Sequence, residues 1–188
     1  MTGRNVYILL TDTGTLFTRL IKLYTKKPYN HASISFDSML TEVYSFGRKV
    51  EWNPFIGGFV KEDIRKGLFK QADCAIYSLK VNEEQLQKMN DYIEELKTQR
   101  EEYRYNLFGL LGFLFNKPIQ RSKAFFCSQF VATLLKECNV LDIEKSPALI
   151  APNDLQKMPK CQFVYEGKLR KYHNETEQVS VCLIPVKM

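Results

Sequence analysis

The stretch KAFFCSQFVATLLKECNV, Lys123 to Val140, carries two cysteines eleven residues apart. Cys127, Phe130, Val131, Leu134, Leu135 and Cys138 recur at helical spacing and predict a helix with one apolar face. Free cysteines are among the most buried residues, and Cys138 reads as plain core. Cys127 stands in the first turn instead. There, unpaired backbone N–H groups and the helix dipole favour a thiolate over a thiol. Position, more than residue type, makes Cys127 a candidate nucleophile.

A thiolate nucleophile needs a partner base, and the chain has two histidines. His173 lies in the polar stretch RKYHNETE. His31 opens HASISF, which alternates as a strand: Ala32, Ile34 and Phe36 on one face, His31, Ser33 and Ser35 on the other. A third group should orient the imidazole. Glu42 follows eleven residues later, at the start of the predicted returning strand TEVYSFGRKVEW. Pairing of the two strands would bring Glu42 near His31. Asp37 and Glu51 are weaker candidates, and Ser35 and Asn30 are other hydrogen-bonding groups within reach.

Around this hairpin, NVYILL and CAIYSLKV read as strands, and TLFTRLIKLYTK has helical spacing. NEEQLQKMNDYIEELKTQR is the clearest helix, with Asn82 as its cap, acidic residues in its first turn and a Leu86, Met89, Ile93, Leu96 stripe. YRYNLFGLLGFLF is apolar and broken by glycine. APNDLQKMP is a loop or short helical turn. QFVYEGKLRKY and EQVSVCLIPV read as terminal strands. EWNPFIGGFVKEDIRKG reads as a flexible loop, with movement allowed at Gly57–Gly58 and with Trp52, Phe55 and Phe59 lining a cleft or anchoring the loop. The order predicts a single α+β domain over residues 1–188, with helices packed on a mainly antiparallel sheet.

Composition narrows the classes. The net charge is +6 and the sequence pI about 9.0, yet no run of five lysines or arginines occurs. Scattered charge of this kind reads as solvated surface rather than a nucleic-acid footprint. Five cysteines without regular spacing argue against a disulfide framework, and the absence of CxxC argues against structural zinc. Neither a metal nor a cofactor is expected. The longest apolar run, Leu107 to Phe115, is too short to span a bilayer. The apolar stretch before Thr11 and Asp12 is too short for a signal peptide. The expectation is a reduced, cytoplasmic setting without stable membrane insertion.

Taken together, YNHASISFD, TEVYSFGR, EYRYNLFGLLG and FFCSQFVATLLKECNV resemble the permuted papain-like amidases of the YiiX/YaeF type, within the NlpC/P60 superfamily. The likeness runs from ILLTDTGTLFTRLIK to PNDLQKMP. His31 precedes Cys127, the order of the circularly permuted branch. The resemblance implies a permuted papain-like fold, an antiparallel sheet or small barrel against helices. It carries Cys127 over as nucleophile, His31 as general base and acid, and Glu42 as the residue that orients His31. Tyr105 matches the family's tyrosine upstream of the cysteine and would position substrate or support the oxyanion. The chain departs at Asn106, where the family often has Asp.

The implied activity is that of a cysteine hydrolase acting on a peptide or N-acyl amide through an acyl-enzyme, with a small amide as partner and no nucleic acid. Two alternatives share the fold. One is a lipid acyltransferase or phospholipase of the lecithin:retinol acyltransferase type, with LFGLLGFLF at the lipid. The other is a binding domain without catalysis.

Overall fold

The computed structural model describes residues 3–14, 22, 26–50, 53–119 and 121–172. The expected helix TLFTRLIKLYTK (Lys22 and Lys26 apart), Glu51, Trp52, His173 and the strand EQVSVCLIPV lie outside them, as does the side chain of Phe55.

Apolar alternation produces a sheet of six strands: β1 (Arg4–Asp12), β2 (His31–Ser35), β3 (Val43–Val50), β4 (Asn53–Glu62), β5 (Asp73–Val81) and β8 (Gln162–Lys168). Their order across the sheet is β4-β3-β2-β1-β5-β8, and every pairing is antiparallel. Among the described residues the sheet is open, so the small-barrel form of the expectation is replaced by an open α+β sheet. Two short parallel strands, β6 (Arg104–Tyr105) and β7 (Ala124–Phe125), pair beside it.

The helices are α1 (Glu83–Thr98), α2 (Leu107–Leu114), α3 (Cys127–Glu137) and the short α4 (Pro152–Leu155). In α1, Asn82 accepts from Gln85 N at 2.8 Å while Gln85 Oε1 accepts from Asn82 N at 3.0 Å, a reciprocal cap. Met89, Ile93 and Leu96 are its buried stripe. The glycine-broken segment after Tyr105 is also a helix. Asn106 Oδ1 accepts from Gly109 N at 2.8 Å and its Nδ2 donates to the Ile119 carbonyl at 3.0 Å. The side chain at this departure from the family pattern is therefore a buried helix cap.

The sheet buries both faces. Val6, Ile8, Leu10, Ala32, Ile34, Tyr44 and Phe46 meet α1 and α3, whereas Leu9, Val43, Cys74 and Ile76 pack on Leu40, Ile64, Leu169 and Tyr172. Phe130 on α3 seats that helix against the sheet, with ring centroids 5.3 Å from Phe46 and 5.9 Å from Phe59.

The predicted flexible loop EWNPFIGGFVKEDIRKG instead contains β4, paired with β3 from Val43↔Glu62 to Val50↔Asn53. Its two glycines serve close approach rather than movement. A Cβ on Gly58 would lie 2.6 Å from the Tyr103 carbonyl oxygen, and one on Gly57 would lie 2.8 Å from Tyr105 Cβ. Only glycine lets residues 103–105 lie this close across β4.

Candidate active site

Cys127 is the first residue of α3, as the sequence predicts, and is 5% exposed. The helix start is fixed from three directions. Gln129 Oε1 accepts from Phe126 N at 3.4 Å, Ser128 Oγ donates to the Ile150 carbonyl at 2.7 Å, and β7 leads directly into the helix. Ile150 is two residues before α4, and Asn153 of α4 donates to the Tyr29 carbonyl at 2.7 Å. The segment before His31 and the start of the Cys127 helix are thus tied to one short element.

His31 begins β2 opposite Thr11. The turn before it is held by Asn30, whose side chain donates to Asp12 at 2.7 Å and whose backbone N–H donates to the Thr11 carbonyl at 3.1 Å. The imidazole meets two groups. Nε2 lies 2.7 Å from Glu62 Oε1, and the ring is close enough to Cys127 for each side chain to shift the other's charge.

Glu42 does not orient His31. In the hairpin register, Ser35 pairs with Val43, which pairs on its other side with Glu62. Glu42 therefore falls beyond the far end of β2 from His31, its carbonyl accepting from Phe36 N. Strand alternation also puts it on the Tyr44 face, opposite the His31, Ser33 and Ser35 face. Its carboxylate bonds Lys61 and the Tyr44 hydroxyl. The residue that holds His31 is Glu62, on the third strand of the meander. Ser33 and Ser45 hydroxyls both donate to Glu62, so β2 and β3 each anchor the carboxylate that reaches over β3. Of the other groups weighed from sequence, Ser35 and Asp37 organise the 37–42 turn and Asn30 serves Asp12.

The electrostatics follow from these contacts. Burial disfavours a charged imidazole, but the Glu62 carboxylate and the Cys127 sulfur outweigh it and raise His31 to about 10. Burial likewise opposes charge on Glu62, yet His31 and the two serine hydroxyls hold its pKa below the usual carboxylate value. At Cys127, burial pushes the thiol up, while His31 and the N–H groups of Ala32 and Ser128 bring it below the ordinary thiol value. Cys138, in contrast, is pushed up to about 11 by burial, as is Cys161, and Cys74 to about 12. A thiolate–imidazolium pair is favoured at Cys127 alone among these four.

Tyr105 ends β6, beside β7. Burial, followed by the negative charge of the Cys127 sulfur, raises its phenol well above the usual value, so it keeps its proton as a donor. A cavity of about 440 Å³ opens against His31, Tyr105, Glu62, Phe46, Val60 and Phe69. Among the described residues, no group of three or more His, Cys, Asp or Glu could hold a metal, and no helix is long and apolar enough to cross a membrane.

Fold and site thus define an open-sheet α+β protein with a Cys127–His31–Glu62 chain at the N-terminus of a helix. No family model, curated protein or solved structure matches this chain.

Proposed function

We propose that this protein is a cysteine hydrolase that cleaves an amide, in a peptide or an N-acyl compound, in the manner of the permuted papain-like enzymes its motifs resemble. The observation that carries this reading is the convergence of three groups: Glu62 bonds His31 at 2.7 Å, His31 and Cys127 shift each other's charge, and the sulfur stands at a helix N-terminus.

The Cys127 thiolate attacks the substrate carbonyl and forms a C–S bond. The negative charge moves to the carbonyl oxygen, where helix-terminal N–H groups and the Tyr105 hydroxyl act as donors. His31 gives its proton to the leaving nitrogen as the C–N bond breaks, leaving a thioester. Water then attacks the thioester, His31 takes its proton, and the C–S bond breaks to restore the thiolate. Glu62 keeps the ring oriented and balances the imidazolium charge throughout.

Labelling with iodoacetamide at pH 6–7, read by mass spectrometry residue by residue, tests the reading. Cys127 should be alkylated much faster than Cys138, and His31→Ala should abolish the difference. Equal rates at the two cysteines in the wild type would refute the thiolate assignment.

One observation favours a second reading, acyl transfer to or from a lipid. Phe108 and Phe115 are 60% and 75% exposed on the segment 107–115, which starts two residues after Tyr105. Sedimentation with phosphatidylcholine vesicles, compared between wild type and Phe108→Ser/Phe115→Ser, separates it from the first.

A further inference from the structure

The cavity beside His31 and Tyr105 has an uneven charge. Five cationic side chains line it: Arg48, Lys49, Lys61, Lys66 and Arg100, with His31 in addition. Its described carboxylates are Glu62 and Asp63. Glu62 is committed to His31, Ser33 and Ser45, and Asp63 pairs with Lys66 at 2.8 Å. Lys61 is balanced from outside the cavity, by Glu42.

Lys49 and Arg100 carry the excess. The Lys49 side chain is only 14% exposed, and its contacts are the Arg100 carbonyl and Glu101, both at 3.3 Å. Glu101 is 85% exposed, where solvent screens it strongly. Arg100 has no carboxylate partner among the described residues. Arg48 lies close enough for its charge to act on the Tyr105 phenol. A concave wall with an excess of one sign focuses its field into the cavity and concentrates counter-charged ligands there.

Resting on the hydrolase reading above, we infer that the substrate of this site carries an anionic group, a carboxylate or a phosphate, which the cationic wall formed by Lys49 and Arg100 holds while its carbonyl lies at Cys127. A neutral amide of equal size is then a poorer substrate. The apolar residues Phe46, Val60, Leu68 and Phe69 on the remaining wall take the uncharged part.

Two alkylating agents of nearly equal size test this. Iodoacetate carries a carboxylate and iodoacetamide does not; each reacts as thiolate forms an S–C bond and iodide leaves. The readout is the ratio of their rates at Cys127, in which any general change of thiol reactivity cancels. The expected ratio exceeds that of free cysteine at low salt. It falls roughly threefold or more in Lys49→Gln and in Arg100→Gln, as expected for loss of a steering charge. Lys88→Gln, at a lysine that does not line the cavity and pairs with Glu84, leaves the ratio unchanged. Arg100 is exposed, so its variant reports even if Lys49→Gln does not fold.

A ratio equal to wild type in both cavity variants overturns the inference, because His31 alone then accounts for any preference. If Cys127 reacts with neither reagent faster than Cys138 does, the hydrolase reading itself fails, a separate outcome. Inorganic phosphate and succinate, added at constant ionic strength, identify the anion. Stronger protection of Cys127 by phosphate supports a phosphate-bearing substrate, and stronger protection by succinate a carboxylate-bearing one. Protection by neither overturns the inference.

Discussion

Glu62 on β4 holds Nε2 of His31 on β2 at 2.7 Å, reaching across β3, the strand between them in the sheet. On β3, Ser45 donates to the same carboxylate as it passes over the strand. Glu42, just before that nearer strand, faces Lys61 and Tyr44 instead.

The two carboxylates should therefore differ on mutation. Glu62→Gln removes the largest favourable influence on the His31 charge and leaves burial to oppose it. The imidazole should lose its proton at lower pH, and the Cys127 thiol should then ionise at higher pH. Alkylation of Cys127 by iodoacetamide at pH 6 should slow at least about tenfold, since one pKa unit is a factor of ten in thiolate. Glu42→Gln, which removes a half-exposed surface pair, should stay within about twofold.

The pH profile follows from the signs of the two shifts. The Cys127 thiol lies below its ordinary value of 9.0, so thiolate is present on the acid side of that value. His31 is raised from 6.5 to about 10, so imidazolium persists until pH rises through that value. Hydrolysis needs both, and the two values belong to the pair rather than to either residue. For an amide substrate that is turned over, kcat/KM should hold a plateau on the acid side of pH 9.0 and fall as pH passes about 10. A profile that rises only above pH 9.0, the ordinary thiol value, would contradict the ion pair.

Phe130 lies one turn after Cys127 and is fully buried against Phe46 and Phe59. Phe130→Ala opens a cavity that neighbouring rings fill only partly. It should cost about 3–5 kcal/mol of stability, measured as a drop in the denaturant midpoint at unchanged m-value.

Gly57→Ala distinguishes close approach from a hinge. The added Cβ would meet the Gly47 carbonyl oxygen and Tyr105 Cβ, both at 2.8 Å. Backbone on one side cannot yield, so β6 should be displaced and stability should fall by about 1–3 kcal/mol. A glycine present only for movement would tolerate alanine with little loss of stability.

What the sequence by itself determined is local. The position of Cys127 at a helix start, the polar face of β2 with His31 on it, the Asn82 cap and the apolar stripes of α1 and α3 all follow from periodicity and capping within short windows. β4 was hidden because Pro54 and the Gly57–Gly58 pair weaken strand propensity, and their reason lies in the distant residues 103–105. The choice between Glu42 and Glu62 was settled by register. A pairing shifted by one residue turns every side chain of a strand to the opposite face, and no short window encodes the pairing of three strands. Tertiary packing also makes Cys127, the first residue of α3, and Cys138, its C-cap, unlike. Burial, with the Glu137 carboxylate nearby, raises Cys138 to about 11, whereas at Cys127 burial is outweighed by an imidazolium that a third strand holds in place.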